Sequence, residues 1–194
     1  MHYSPRLTQA FQVAAELHRH QMRKGTGIPY ITHLMAVAAL IGEHGGDEDL
    51  VIAGLLHDAA EDQGGLPTLA RIRAAFGDRV AACVAACSDA HTLPKPPWRE
   101  RKEAHLRRYG ALDGGIRLVL AADKIHNARA IARDLRTLGD ALWSRFSGGR
   151  DGTLWYYRAA CDALHDGWNH PVLIELEEAV AALEQAAEEC AAKD

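Results

Sequence analysis

Apolar residues recur with the period of an α-helix along nearly the whole chain, and no stretch shows the strict alternation of a half-buried strand. That pattern restricts the fold to helices packed on helices, an all-α domain with at most a trivial hairpin. Abundant alanine, with glutamate and arginine, agrees, because these side chains give up little freedom in a helix.

The stops are as legible as the helices. Ser4 is expected to cap a first helix running from Pro5 to His20, with proline in its first turn. The two glycines and the proline of Arg23-Lys24-Gly-Thr-Gly-Ile-Pro-Tyr30 then form a loop. Thr32 is placed as the cap of a second helix, His33 to about His44, closed by Gly45-Gly46. Asp47 caps a third, predicted to run unbroken to about Gln63, where Gly64-Gly65 stops it. Pro67–Ala75 and Asp78–Asp89 follow as shorter helices, and the prolines of Thr92–Pro97 make a rigid loop. Trp98–Tyr109, Asp113–Leu138, Thr153–Gly167 and the segment beyond Pro171 complete the helices. No internal repeat or long linker appears, so residues 1–194 are expected to form a single domain.

Charge and cysteines narrow the class. A net charge of −4 speaks against a nucleic-acid partner. No apolar run approaches the ~20 residues of a membrane span, and the N-terminus lacks a signal-peptide pattern. The cysteines at 83, 87, 161 and 190 show no zinc-ribbon spacing. Cys83 and Cys87, one turn apart beside alanine and valine, are expected to pack as small apolar residues. A reducing, cytoplasmic setting is the default, and oligomeric state is left open.

Chemistry concentrates in Ile52-Ala-Gly-Leu-Leu-His57-Asp58-Ala-Ala-Glu61-Asp62, where an apolar stretch ends in four titratable residues. On one helix, Glu61 follows His57 by four positions and Asp58 by three, so the three crowd one face. A buried imidazole among carboxylates is unfavourable unless a cation neutralises them. Ligands from elsewhere complete a shell: His33 opens the second helix, and Asp123 interrupts the apolar run Leu120-Ala-Ala-Asp123-Lys-Ile-His126-Asn127. Two imidazoles and two carboxylates, His33, His57, Asp58 and Asp123, suit manganese, iron or zinc better than calcium. They should converge with ligand atoms about 2.0–2.3 Å from the ion. A second pair, His165-Asp166, lacks trailing acids and precedes a glycine stop, so it is read as structural or surface.

Together these segments resemble the HD superfamily, and more narrowly the hydrolase domain of RelA/SpoT homologues that degrade guanosine 3′,5′-bis(diphosphate). Arg23-Lys24 through Gly27-Ile-Pro-Tyr30-Ile-Thr-His33 resembles the family's opening signature. Leu55-Leu-His57-Asp58-Ala-Ala-Glu61-Asp62 is similar to its His-Asp-x-x-Glu-Asp core, and Ala122-Asp123-Lys-Ile-His-Asn127-Ala-Arg129 to its later segment. Asp89-Ala-His-Thr92-Leu-Pro-Lys95 with Arg99-Glu-Arg101-Lys102 resembles stand-alone, metazoan-type SpoT homologues. The likeness covers roughly residues 5–135, and the run Gln63-Gly-Gly-Leu-Pro-Thr68 departs from the usual pattern. The chain is too short for the family's synthetase and regulatory regions, so a hydrolase-only member is expected.

The resemblance implies a small-molecule nucleotide substrate, one divalent metal, Mn2+ by preference, and release of pyrophosphate from the 3′ position. Glu61 and Asp62 would shuttle protons to and from the attacking water and the leaving oxygen. Arg23 would stack on the base, Lys24 would lie near the sugar or phosphate, and Asn127 would reach a ribose hydroxyl. Lys95, Arg101 and Lys102 would take the outer phosphates. Two alternatives stay open at this point: an HD phosphohydrolase for another nucleotide, NADPH or a deoxynucleotide, and a catalytically silent nucleotide sensor.

Overall fold

The computed structural model describes residues 2–89 and 96–192. Among them there is no strand, only an isolated antiparallel bridge between Met22 and Pro29. The all-α expectation is met, trivial hairpin included. In chain order the helices are α1 (Pro5–Leu17), α2 (Ile31–Glu43), α3 (Glu48–Leu56), α4 (Ala59–Asp62), α5 (Gly65–Phe76) and α6 (Asp78–Cys87). Then come α7 (Trp98–Leu106), α8 (Gly114–Leu138), α9 (Gly149–His165) and α10 (Val172–Ala191), with short 3-10 turns at Tyr109–Ala111 and Gly139–Arg145. None of these helices is long and apolar enough to cross a membrane.

The capping chemistry works as the sequence indicates at two starts. Ser4 Oγ accepts from the amide of Arg6 at 3.2 Å, and Asp47 Oδ1 accepts from that of Leu50 at 3.1 Å. Two boundaries differ. Helix α2 begins at Ile31, and Thr32, already inside it, donates its hydroxyl to Pro29 O at 2.8 Å instead of capping. The third helix is not continuous to Gln63: it ends at Leu56, and a separate single turn, α4, starts at Ala59. The ring nitrogen Nδ1 of His57 lies 2.8 Å from Gly54 O, the carbonyl that the amide of Asp58 would use in an unbroken helix.

The described residues fall into two compact units, one of residues 2–89 with Asp113–Ala122, the other of Pro96–Leu112 with residues 123–192. Helix α8 is shared, its residues from Asp123 onward belonging to the second. In the first unit α3 is the core: every residue from Leu50 to Leu56 is buried, as expected of a helix apolar all round. Helix α2 lies against it at a glycine. A Cβ on Gly54 would stand 2.4 Å from Ile41 Cδ1 and 3.3 Å from Ala38 Cα. Gly54→Val is therefore expected to destabilise by about 1–3 kcal/mol through overpacking, read as a lowered thermal midpoint. An unchanged midpoint would contradict this close approach.

In the second unit, Trp98 packs over α9, its ring 2.6 Å from where a Cβ on Gly148 would sit and 3.2 Å from one on Gly152. Arg158 and Glu184 tie α9 to α10. None of the cysteines is joined in a disulfide, and burial pushes the Cys83 thiol up to about 11, as befits a residue packed as a small hydrophobe.

Candidate metal centre

The site grows from the break at the end of α3. His57 is 2 % exposed, and its ring Nδ1 faces a carbonyl, which can only accept. A donor is therefore needed at Nδ1, which leaves Nε2 as the ligating nitrogen, the tautomer a metal ligand needs. Asp58 Oδ2 lies 2.9 Å from that Nε2. His33, wholly buried in the first turn of α2, brings its own Nε2 to 3.5 Å from the same oxygen. One ligand atom from each of His33, His57 and Asp58 lies within 4.8 Å of the other two. An imidazole lone pair against a carboxylate oxygen sets acceptor against acceptor, which calls for a cation. The donor set, two imidazoles and a carboxylate, fits a borderline divalent ion.

The Arg23–Tyr30 loop positions His33. Arg23 N–H donates to Ile28 O at 2.8 Å and Tyr30 N–H to Gln21 O at 2.9 Å, and the chain enters α2 directly from this closed hairpin. Tyr30 adds a contact of its own: its hydroxyl donates to Asp58 Oδ2 at 2.7 Å. His18, 2 % exposed, stacks on Tyr30 with ring centroids 5.4 Å apart. Burial holds its pKa below the ordinary 6.5, although its bond to Gln21 and the Asp58 carboxylate pull the other way. Tyr30 stood in the sequence motif without a role, and His18 and Gln21 stood outside the quoted motifs. Their signal was the polar residues His18 and Gln21, three apart, where an amphipathic helix stops.

Glu61 and Asp62 sit on α4, within the same unit. Glu61 Oε2 accepts from the amide of Asp89 at 3.3 Å, and Asp62 Oδ2 accepts from Gln21 Nε2 at 2.8 Å. Arg23 lies over the Tyr30 ring, 5.6 Å from its centroid, and Lys24 is exposed beside it.

The remaining candidates belong to the second unit. Asp123 is buried, with Lys124 Nζ 2.5 Å from its Oδ2 and Asn127 Nδ2 2.5 Å from its Oδ1. Lys124 is itself buried, which works against its charge, yet Asp123 holds its pKa well above the usual lysine value. The sequence reading gave Lys124 no part, although a lysine between alanine and isoleucine in an apolar helix was the available sign. Arg101 Nε donates to Pro96 O at 3.0 Å, and Lys102 Nζ lies 4.7 Å from the centre of the Tyr156 ring. Lys95 lies outside the described residues.

A second grouping, Cys161, His165 and Glu177, has ligand spacing on α9 and α10. His165 Nδ1 turns back to Cys161 O at 3.0 Å, and burial raises the Cys161 thiol to about 11. The His165 bond agrees with the structural or surface role read for His165-Asp166 from the sequence.

The HD domain family matches residues 10–154. The human guanosine-3′,5′-bis(diphosphate) 3′-pyrophosphohydrolase MESH1 is 38% identical over 130 residues, covering 66% of this chain and 70% of that protein. A Synechocystis protein named as a probable guanosine-3′,5′-bis(diphosphate) 3′-pyrophosphohydrolase is 35% identical over 128 residues. The match covers 64% of this chain but only 16% of that longer relative. Among solved structures, a metazoan ortholog of SpoT described as hydrolysing ppGpp superposes with a TM-score of 0.77 at 25% identity. That superposition covers 96% of this chain and 99% of the other.

Proposed function

From its membership of the HD domain family, to which this chain belongs, we propose that it is a metal-dependent phosphohydrolase converting guanosine 3′,5′-bis(diphosphate) to GDP and pyrophosphate. The observation that carries the reading is the convergence of His33, His57 and Asp58 in a chain so similar to enzymes named for that reaction. Asp123 is the fourth ligand in this reading, Mn2+ the ion, and the whole chain one HD-type domain working in the cytoplasm.

A divalent ion held there supplies Lewis-acid polarisation of the phosphate and of the attacking water. The chain's residues do the rest. Glu61 and Asp62 take a proton from water and return one to the ribose 3′ oxygen as its bond to phosphorus breaks. Tyr30 holds Asp58 by a hydrogen bond, and the Gly54 carbonyl fixes the tautomer of His57. Arg23, already over an aromatic ring, stacks on the base, with Lys24 near the sugar or phosphate. Asn127 meets the ribose, and Lys95, Arg101 and Lys102 take the outer phosphates.

The test is turnover of a nucleotide panel by the purified protein with Mn2+. Pyrophosphate and GDP should form from guanosine 3′,5′-bis(diphosphate) and cease on chelation. Arg23→Ala should raise KM about tenfold with little change in kcat, since it removes binding shared by ground and transition states. Turnover of NADPH or a deoxynucleotide alone would leave a generic HD phosphohydrolase. Binding in Mn2+ without turnover would leave a sensor.

A further inference from the structure

We propose that Gln21 is a positioning residue: its side-chain amide holds the Asp62 carboxylate in the orientation from which it exchanges a proton. The proposal rests on the reading of Asp62 as a proton-transfer group. Gln21 belongs to no helix, yet both its main-chain groups are engaged. Its N–H donates to His18 O at 3.0 Å, and its carbonyl accepts from the amide of Tyr30 at 2.9 Å. The side chain is held as firmly. Oε1 lies 2.7 Å from His18 Nδ1 and accepts from Gln63 Nε2 at 2.5 Å, while Nε2 donates to Asp62 Oδ2 at 2.8 Å.

This network has one polarity. An ionised carboxylate only accepts, so the NH2 of Gln21 must face Asp62, and the oxygen must take the donors on the other side. A flipped amide would set oxygen against oxygen at Asp62. His18 fits the assignment, because its Nδ1, 2.7 Å from the Gln21 oxygen, can serve as the donor there. Gln63 is held too, its carbonyl accepting from Thr68 Oγ1 at 2.5 Å. It opens the run in which this chain departs from the family pattern, so this second donor to Gln21 is a feature of the chain's own sequence.

Such a partner matters at this position. It is exposed, at the end of a helix of four residues, with Gly64 and Gly65 at φ 111° and 65° just beyond. A carboxylate at a helix C-terminus gains nothing from the helix dipole. A hydrogen bond from an amide whose oxygen is held by His18 and Gln63 fixes the orientation of the carboxylate. Misplacing a reacting group by an ångström can cost about 10²-fold in rate.

Gln21→Met keeps the length of the side chain but has no donor. It should lower kcat for guanosine 3′,5′-bis(diphosphate) about tenfold, with KM and Mn2+ affinity by calorimetry unchanged. Gln21→Glu keeps the acceptor for His18 and Gln63 but turns an oxygen toward Asp62. It should be at least as slow, whereas a merely structural role would let it rescue activity. In an Asp62→Asn background, Gln21→Met should slow turnover less than twofold further. Should Gln21→Met fail to fold, Gln21→Glu carries the same test. Wild-type kcat in Gln21→Glu, or an undiminished loss in the Asp62→Asn background, overturns the positioning role alone. Wild-type turnover by Asp62→Asn itself overturns the reading of Asp62, and this proposal with it.

Discussion

Replacing His57 by alanine should abolish stoichiometric Mn2+ binding and lower kcat/KM for guanosine 3′,5′-bis(diphosphate) by about 10³-fold. The magnitude follows from what the ion supplies, several kcal/mol of charge stabilisation in the transition state, at about 1.4 kcal/mol per tenfold. The geometry makes His57 the more sensitive of the two histidines. Its ring is tied through Nδ1 to Gly54 O, so it is aimed before any ion arrives, and Asp58 Oδ2 stands 2.9 Å from its Nε2. Removing it leaves the carboxylate without the nearer imidazole and releases the Gly54 carbonyl that the ring occupies at the helix break. His165→Ala is the control, because that histidine is turned back on its own helix. Calorimetric titration with Mn2+, beside circular dichroism to confirm folding, separates lost binding from lost fold. Full Mn2+ affinity in His57→Ala would remove His57 from the ligand set.

How much of this was legible in the sequence depended on the range of the interaction. Ser4 and Asp47 act on amides two and three residues away, so the caps were readable from local order. Burial along α3 was readable because a helix apolar all round has nowhere to go but the core. The break at His57–Asp58 was not, because periodicity cannot reveal that a side chain takes a carbonyl from the backbone. Nor could it show Tyr30 on Asp58 or Gln21 on Asp62, bonds that span 28 and 41 residues. Thr32 misled because its usual preference for a cap lost to Tyr30, whose amide was already fixed by Gln21. Of the expected site, His33, His57 and Asp58 are brought together within one unit, while Asp123 and Asn127 pair with each other in the second. The motif marked Lys124 by position, but only burial beside Asp123 gives it a physical part.

Glu61→Gln should leave Mn2+ affinity intact and slow turnover by roughly 10²-fold, the usual scale for a lost acid–base group. Glu61 lies three residues after Asp58, on the single turn that follows the break. Its Oε2 accepts from the amide of Asp89, a long contact at 3.3 Å that orients the carboxylate from a different segment of the chain. Glutamine keeps that acceptor and the size of the side chain, and removes only the capacity to carry a proton. The kinetic signature should therefore be equal loss in kcat and kcat/KM, since the missing interaction belongs to the transition state alone. His57→Ala should lose the ion and the rate together, whereas Glu61→Gln should lose the rate with the ion still bound. If Glu61→Gln instead sheds Mn2+ in proportion to its activity, Glu61 is a ligand, and proton transfer falls to Asp62 alone, held in place by the Gln21 amide.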